Sequence, residues 1–159
     1  MIHNKKKSQN YENKAIKLDK KNNLFTSRKF QHIRNDSSRK KILKSLDSFS
    51  ICLTNKTITD IPDSKFEKVC FILINDFEKD LGVGPLNDGY LIALNHHRLG
   101  YKIFYLYNSL YLEFISYLWY FLENTTDFLT VFYTGKNTKG QGIEFTDGVL
   151  TKSSIGKII

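Results

Sequence analysis

Cysteine and histidine side chains are the groups in this sequence that could attack a carbonyl carbon and carry the proton. The chain has two cysteines, Cys52 and Cys70, and four histidines, of which His96 and His97 are adjacent. Neither cysteine has a histidine beside it in the sequence. No Cys-x-x-Cys or Cys-x-x-His pair occurs, so we expect neither a bound metal nor a cofactor.

The context of these residues favours structural roles. Cys70 lies within the apolar run Val69–Ile74, where a free cysteine behaves as a small hydrophobic side chain with a raised pKa. Cys52 has apolar neighbours on both sides, so packing is again the favoured interpretation. His96 and His97 come at the polar side or end of a predicted helix, where a cation suits the helix dipole.

Acidic and amide side chains follow the apolar run and indicate a cleft, because loops after buried parallel strands line clefts. Asp76, Asp80, Asn87 and Asp88 are the candidates for this cleft loop. A helix N-cap explains Asn87 and Asp88 equally well. The later loop 135–142 is rich in glycine and lysine, but a hairpin pattern follows it instead of Lys-Ser/Thr and a helix, so we expect no nucleotide site.

The elements that must position these residues follow the order strand, helix, strand, helix, strand, hairpin. The predicted strands are 69–74, 102–107 and 127–134. The predicted helices are 90–98 and a helix that is capped by Asn108 and Ser109 and ends at Glu123. The predicted hairpin is 143–150, around Asp-Gly. We expect Leu91, Ile92, Leu94 and Leu99 to form the apolar face of the first helix. The second helix is apolar nearly all round and should be buried or contact something. This order predicts an α/β fold with a mostly parallel sheet between helix layers.

From Lys68 to Ile159 the chain resembles the caspase, metacaspase and paracaspase superfamily of cysteine peptidases. The strand VCFILI leads to GPLNDGYLIALNHHRLGYKIFYLYN, which is similar to the family block of Gly-x-x-Asn-Asp-Ala, helix, Leu-Gly-Tyr and strand. Glu113 matches the family's Thr-x-x-Glu helix. DFLTVFYTGKN resembles the strand that ends in Phe-Tyr-Ser-Gly-His-Gly, and IEFTDGVL resembles the hairpin after it. An ordinary flavodoxin-like domain shares the element order and stays an alternative.

The resemblance implies a caspase-like three-layer α/β/α fold that is incomplete, and it implies that peptide hydrolysis is lost. Lys136 stands at the position of the family's catalytic histidine, and Asn137 at that of the oxyanion-hole glycine. A lysine at its usual pKa is protonated and cannot accept the thiol proton. The chain ends before the family's fourth strand and catalytic cysteine, so we expect no catalytic residue. Gly82 stands where caspases bind substrate aspartate with arginine, and Asp76, Asp80 and Asp88 mimic the acidic metacaspase site only loosely.

We therefore expect a non-catalytic relative that binds or regulates other proteins, including caspase-like relatives, through an open sheet edge. One alternative is a cysteine-type endopeptidase completed by a missing or separate segment, with Lys136 as the base. The other is a non-functional gene fragment. A strand followed by an Asp-x-Cys block encoded downstream of Ile159 would favour the endopeptidase, and peptide turnover by the chain alone would defeat the leading hypothesis.

The charge divides the chain into two parts, because residues 1–60 carry 15 Lys and Arg against 5 Asp and Glu, and residues 61–159 carry 9 against 11. We expect residues 1–60 to be a basic, largely disordered extension and residues 61–159 to be the domain. Within the extension, the local predictions are a short helix at 38–46 and, at 49–53, either an edge strand or an appended turn. Nucleic-acid contact through the basic part is a secondary expectation. No apolar run is long enough to span a membrane, so we expect a cytoplasmic or nuclear protein.

Overall fold

The structure, a computed structural model, describes residues 27–61, 65–76, 82–136 and 142–151, with residues 153, 154 and 157. For residues 27–36 it describes the backbone alone. The chain divides into two units, Met1–Ser38 and Arg39–Ile159. The described part of the first unit is helical backbone from residue 27 onward. The second unit holds the sheet.

Ten elements follow one another along the described chain. They are α1 (Ser27–Asp47), β1 (Ile51–Cys52), a 3-10 helix (Ile58–Asp60), β2 (Phe66–Asn75), α2 (Gly84–Arg98), β3 (Lys102–Tyr107), α3 (Tyr111–Asn124), β4 (Thr125–Gly135), β5 (Gly142–Phe145) and β6 (Gly148–Thr151). Strands β1 to β4 form a parallel sheet in the order β1-β3-β2-β4. Strands β5 and β6 form an antiparallel hairpin. The predicted α/β class, parallel sheet and hairpin are therefore confirmed.

Strand β2 is the central strand, and its side chains alternate between two cores because successive residues of a strand point to opposite faces. Val69, Phe71 and Leu73 pack in the core under α3, and Ile72 and Ile74 pack in the core on the other face. The apolar run of β2 is continuous because both faces of this strand are buried. Helix α3 lies on one side of the sheet, with α2 and the part of α1 from Arg39 onward on the other, which gives three layers.

Helix α2 is present as predicted, but the predicted apolar face is only partly correct: Ile92 packs against the core. Leu91 and Leu99 are exposed, whereas the buried residues are Pro85, Leu86, Gly89 and Ala93. A Cβ placed on Gly89 would lie 2.5 Å from Cδ1 of Ile74, so the helix backbone comes very close to β2 at this position. Small side chains permit that approach, and they set which side of α2 faces the sheet.

The unit that holds the sheet begins at Arg39, earlier than the boundary at residue 60 that composition suggests. Leu46 at the end of α1 and Leu53 after β1 are completely buried. The tyrosine hydroxyl of Tyr105 on β3 also donates to Asp47 Oδ1, which ties the end of α1 to the sheet. The helix predicted at 38–46 is part of α1, and the edge strand predicted at 49–53 is present as β1. Residues 39–60 therefore belong to the fold.

Helix α3 packs against the sheet with one side and exposes the other side, although its sequence is apolar nearly all round. Phe114, Tyr117, Leu118 and Phe121 are buried against the sheet. Trp119, on the outer side, keeps 48% of its surface exposed. The expectation that this helix is substantially buried or contacts another element is met on its sheet side, whereas its outer side leaves apolar surface uncovered.

Candidate functional site

The carboxyl ends of strands β2, β3 and β4 meet at one edge of the sheet, because the strands are parallel. Directly after these strands come Asp76, Asn108 and Lys136. The backbone N–H of Asn108 donates to the carbonyl oxygen of Ile74 at 2.9 Å, so the loops after β2 and β3 are joined. This edge is where the sequence predicts a cleft.

Asp76 is the centre of the polar cluster at this edge, and it is 3% exposed. Its Oδ2 accepts a hydrogen bond from Nε of Arg39 at 2.9 Å, which is also an ion pair. Its Oδ1 accepts from Nδ2 of Asn108 at 3.2 Å, and its own N–H donates to Oδ1 of Asn108 at 2.8 Å. Arg39 also donates to the carbonyl oxygen of Gly82 at 3.0 Å. Both carboxylate oxygens therefore have donors supplied by the chain itself.

Tyr107, the last residue of β3, borders the same carboxylate. Burial raises the pKa of the Tyr107 hydroxyl, and its hydrogen bond to Asp76 adds to the rise. Tyr107 is therefore a neutral donor to the cluster at neutral pH. The Asp76 carboxylate is already surrounded by these partners. It is therefore not available as the acidic site that a basic substrate would need.

The β5–β6 hairpin packs beside this cluster and covers part of the carboxyl edge. The side-chain amide of Asn75 donates to the carbonyl oxygen of Glu144. The hydroxyl of Thr146 donates to the carbonyl oxygen of Ser109 at 3.2 Å. Phe145 is 4% exposed and packs against Phe114 with ring centroids 5.5 Å apart. The hairpin is thus held to both the sheet end and α3.

The structure corrects the helix caps that the sequence predicts. Asn87 and Asp88 are exposed residues inside α2, whose N-cap is Val83. Neither side chain makes a hydrogen bond or ion pair with another described residue, so the structure does not bring them to Asp76. Asn108 does not cap α3 either: it has a φ of 51° and binds Asp76. The N-cap of α3 is Leu110.

Lys136, which the sequence resemblance matches to the family histidine, is exposed directly after β4. Its carbonyl oxygen accepts a hydrogen bond from the hydroxyl of Tyr133. Asn137 and Asp80 lie outside the described residues.

The two cysteines lie within strands that pack against other elements. Cys70 is completely buried in the middle of β2, and burial raises the pKa of its thiol to about 12. Cys52 is half-buried on β1 and contacts Tyr105. His96 bonds the carbonyl oxygen of Ile92 through Nδ1 and packs its ring against Phe132. Among the residues that the structure describes, no cysteine makes a hydrogen bond to a histidine.

We expect the Cys70 thiol to be inert in the folded protein, because the thiolate is the reactive species. With a pKa of about 12, roughly one thiol in ten thousand is ionised at pH 8. A Cys52→Ser variant isolates Cys70. Titration with Ellman's reagent at pH 8 should find no rapidly reacting thiol in the folded variant and one after denaturation in guanidinium. Rapid reaction in the folded state would contradict the buried position of Cys70.

No family model, curated protein or solved structure matches this chain. The caspase-like resemblance therefore rests on the sequence alone, and the structure shows an α/β fold with a parallel four-stranded sheet. Within the described ranges, no group of three or more His, Cys, Asp or Glu side chains is placed to hold a metal ion. None of the described helices is long and apolar enough to cross a membrane.

A second feature is an apolar surface along β4, which pairs with β2 on one side and is an edge of the four-stranded sheet. Phe128 is 57% exposed and Val131 is 41% exposed. Trp119 and Leu122 on α3 are also exposed. We call these four residues the β4 edge surface.

The contacts of α3 show which side of this helix Leu122 occupies. Glu113 accepts the backbone N–H of Asn55 at 3.0 Å, and the hydroxyl of Tyr117 donates to the carbonyl oxygen of Lys56 at 2.7 Å. That side of the helix therefore faces the segment after β1. By helical periodicity, Leu122 lies on the other side, toward β4.

Sequence reasoning missed Arg39 and the role of Asn108. Arg39 falls in a segment whose average composition indicates disorder, and 37 residues separate it from Asp76. For Asn108 a signal exists, because it and Asp76 both come directly after parallel strands. Residues at such positions meet at one sheet edge, and that pairing could have been predicted.

Proposed function

We propose that this chain is a non-catalytic relative of caspase-like peptidases that acts by binding another polypeptide through the β4 edge surface. The observation that carries the proposal is the edge strand β4 itself, which is 11 residues long and has exposed apolar side chains on both faces. The opposite edge strand, β1, has only 2 residues. Proteins usually protect a long edge with lysine, proline or a covering element, because its unpaired N–H and C=O groups pair with other chains.

The sequence of β4 supports a binding role. Residues 125–135 contain no lysine, arginine or proline, and their one charged residue is Asp127. The β-branched and aromatic residues that make up most of the strand favour strand pairing. An edge with this composition suits the addition of a strand from a partner, in which main-chain hydrogen bonds supply affinity and side chains supply specificity.

Three features of the described fold support the absence of peptide hydrolysis. Lys136 stands at the position of the family histidine, Asp76 is bound by Arg39, and the buried Cys70 has a strongly raised pKa. A cysteine peptidase needs a reactive thiolate beside a base at an accessible site. The described residues do not supply that pair at the sheet edge.

A peptidase assay tests this part of the proposal. We expect the purified chain to show no turnover of fluorogenic peptides ending in Arg or Asp above the rate in buffer, with and without added calcium. The Cys52→Ala, Cys70→Ala and Lys136→Ala variants serve as controls for any activity observed. Turnover by the wild-type chain that one of these variants abolishes would show a working enzyme and refute the proposal.

A further inference from the structure

The order of side chains along β4 is self-complementary about Thr130. Counting outward in both directions, Leu129 matches Val131, Phe128 matches Phe132, and Thr126 matches Thr134, whereas Asp127 would stand opposite Tyr133. Three of these four pairs join residues of similar size and polarity. Such an order lets the strand pair antiparallel with a second copy of itself, with like side chains directly opposite one another.

The register within the sheet places each pair on one face. Phe128 and Phe132 lie opposite Lys68 and Ile72 of β2, whereas Leu129 and Val131 lie opposite Val69 and Phe71. Because β2 alternates its faces, the two phenylalanines share the α2 side of the sheet and the two aliphatic residues share the α3 side. A two-fold axis that passes midway between the two copies of Thr130, perpendicular to the sheet, places the same faces of both sheets on the same side.

We propose that the partner of the β4 edge surface is a second copy of this chain, bound by antiparallel β4–β4 pairing centred on Thr130. This inference rests on the proposed binding function and names its partner. The four described strands of each copy would join in one continuous sheet of eight. The exposed Phe128 of one copy would cover Phe132 of the other, and Val131 would cover Leu129.

Two further observations favour a second copy. Direct antiparallel pairing places identical residues near the axis, where like charges would repel, and β4 has no charged residue between Phe128 and Gly135. Leu122 and Trp119 expose further apolar surface on α3. Apolar surface of this kind, bordered by polar residues, marks protein contact sites.

A cysteine at the axis tests the pairing and its register. In the proposed dimer, the two copies of residue 130 face each other with Cα atoms about 4.5–5.5 Å apart, which suits a disulfide. We expect Thr130→Cys, in a Cys52→Ser background, to form a disulfide-linked dimer on mild oxidation. Thr126→Cys is the matched control, because the two copies of residue 126 would be separated by about eight residues, roughly 27 Å. It should stay mostly uncrosslinked.

A charge at the interface tests the association itself. Light scattering after gel filtration, over a concentration series, should give the dimer mass for the wild-type chain and the monomer mass for Val131→Lys. Val149→Lys, on the exposed side of the hairpin, carries the same change at a distant site and should remain dimeric. Circular dichroism checks that both variants fold.

Each alternative outcome overturns the inference. A wild-type chain that stays monomeric up to several hundred micromolar, a dimer that tolerates Val131→Lys, or equal cross-linking at residues 126 and 130 would each do so. A monomer without peptidase activity refutes only the self-pairing. Peptide turnover refutes the proposed function whatever the oligomeric state.

Discussion

Replacing Phe121 by alanine is expected to lower the free energy of unfolding by about 3–5 kcal/mol. Phe121 is completely buried on α3, and its ring centroid lies 4.7 Å from that of Phe104 and 5.1 Å from that of Phe71. Truncation removes these ring contacts and leaves a cavity between the helix and the two central strands. Urea denaturation followed by circular dichroism, at one protein concentration, measures the loss.

Leu112→Ala is the matched control on the same helix. Leu112 is 70% exposed and is not part of the β4 edge surface, so its truncation should change the free energy of unfolding by less than about 0.5 kcal/mol. Equal losses for the two variants would contradict the orientation of α3. A loss of 3–5 kcal/mol is a large share of the stability of a single domain. The Phe121→Ala variant should therefore be partly unfolded at physiological temperature if the domain is of ordinary stability.

The parallel sheet could be predicted because its strands carry strong local signals. The run Val69–Ile74 is apolar without interruption, which is typical of a strand covered on both faces, and it forms the centre of β2. The strands at 102–107 and 127–134 are flanked by turn or helix signals, and both are present as β3 and β4. The Asp-Gly pair correctly predicted the hairpin.

The face of α2 could not be predicted from hydrophobicity, because its contact with the sheet depends on small residues. Gly89 and Ala93 are four residues apart and form the close contact, while the larger Leu91 and Leu99 point outward. A count of large apolar side chains gives no weight to glycine and alanine. The same cause shifted the predicted helix start, since Gly84 and Pro85 already lie within the helix.

The boundary of the compact unit was missed because composition was averaged over the first 60 residues. Leu46 lies in a lysine-rich stretch, yet it is completely buried beside Ile42 and Leu43. These three apolar residues are spaced as one side of a helix requires. Local periodicity is therefore a better guide than net charge to where this fold begins.

The candidate site could be predicted in part. Its location at the carboxyl ends of the strands follows from the parallel order, and Asp76 lies there. The state of Asp76 could not be predicted, because it depends on Arg39, which belongs to a different element. From the sequence alone, a carboxylate in a predicted cleft indicates ligand binding. The ion pair with Arg39 favours a structural role for Asp76 instead.

Arg39→Met is expected to lower the free energy of unfolding by about 3 kcal/mol, because it leaves the Asp76 carboxylate buried without its ion-pair partner. The Asp76 side chain is 1% exposed, so water cannot readily replace the guanidinium. Methionine keeps much of the apolar length of the arginine side chain. Lys40→Met is the control, since Lys40 is the exposed neighbour of Arg39 and the substitution removes the same charge. Urea denaturation should find a change below about 0.5 kcal/mol for it.

The double variant Arg39→Met/Asp76→Asn tests whether the Asp76 carboxylate stabilises the fold through its ion pair with Arg39. If Asp76 serves to hold α1 against the strand ends, the loss in the double variant should be smaller than the sum of the single losses by about 1–3 kcal/mol. Asn108 can still bond the amide that replaces the carboxylate, so part of the cluster survives. If Arg39→Met instead proves as mild as Lys40→Met, the carboxylate does not need its arginine. Asp76 would then be open to a basic ligand, and the carboxyl edge, rather than the β4 edge surface, would be the place to look for binding.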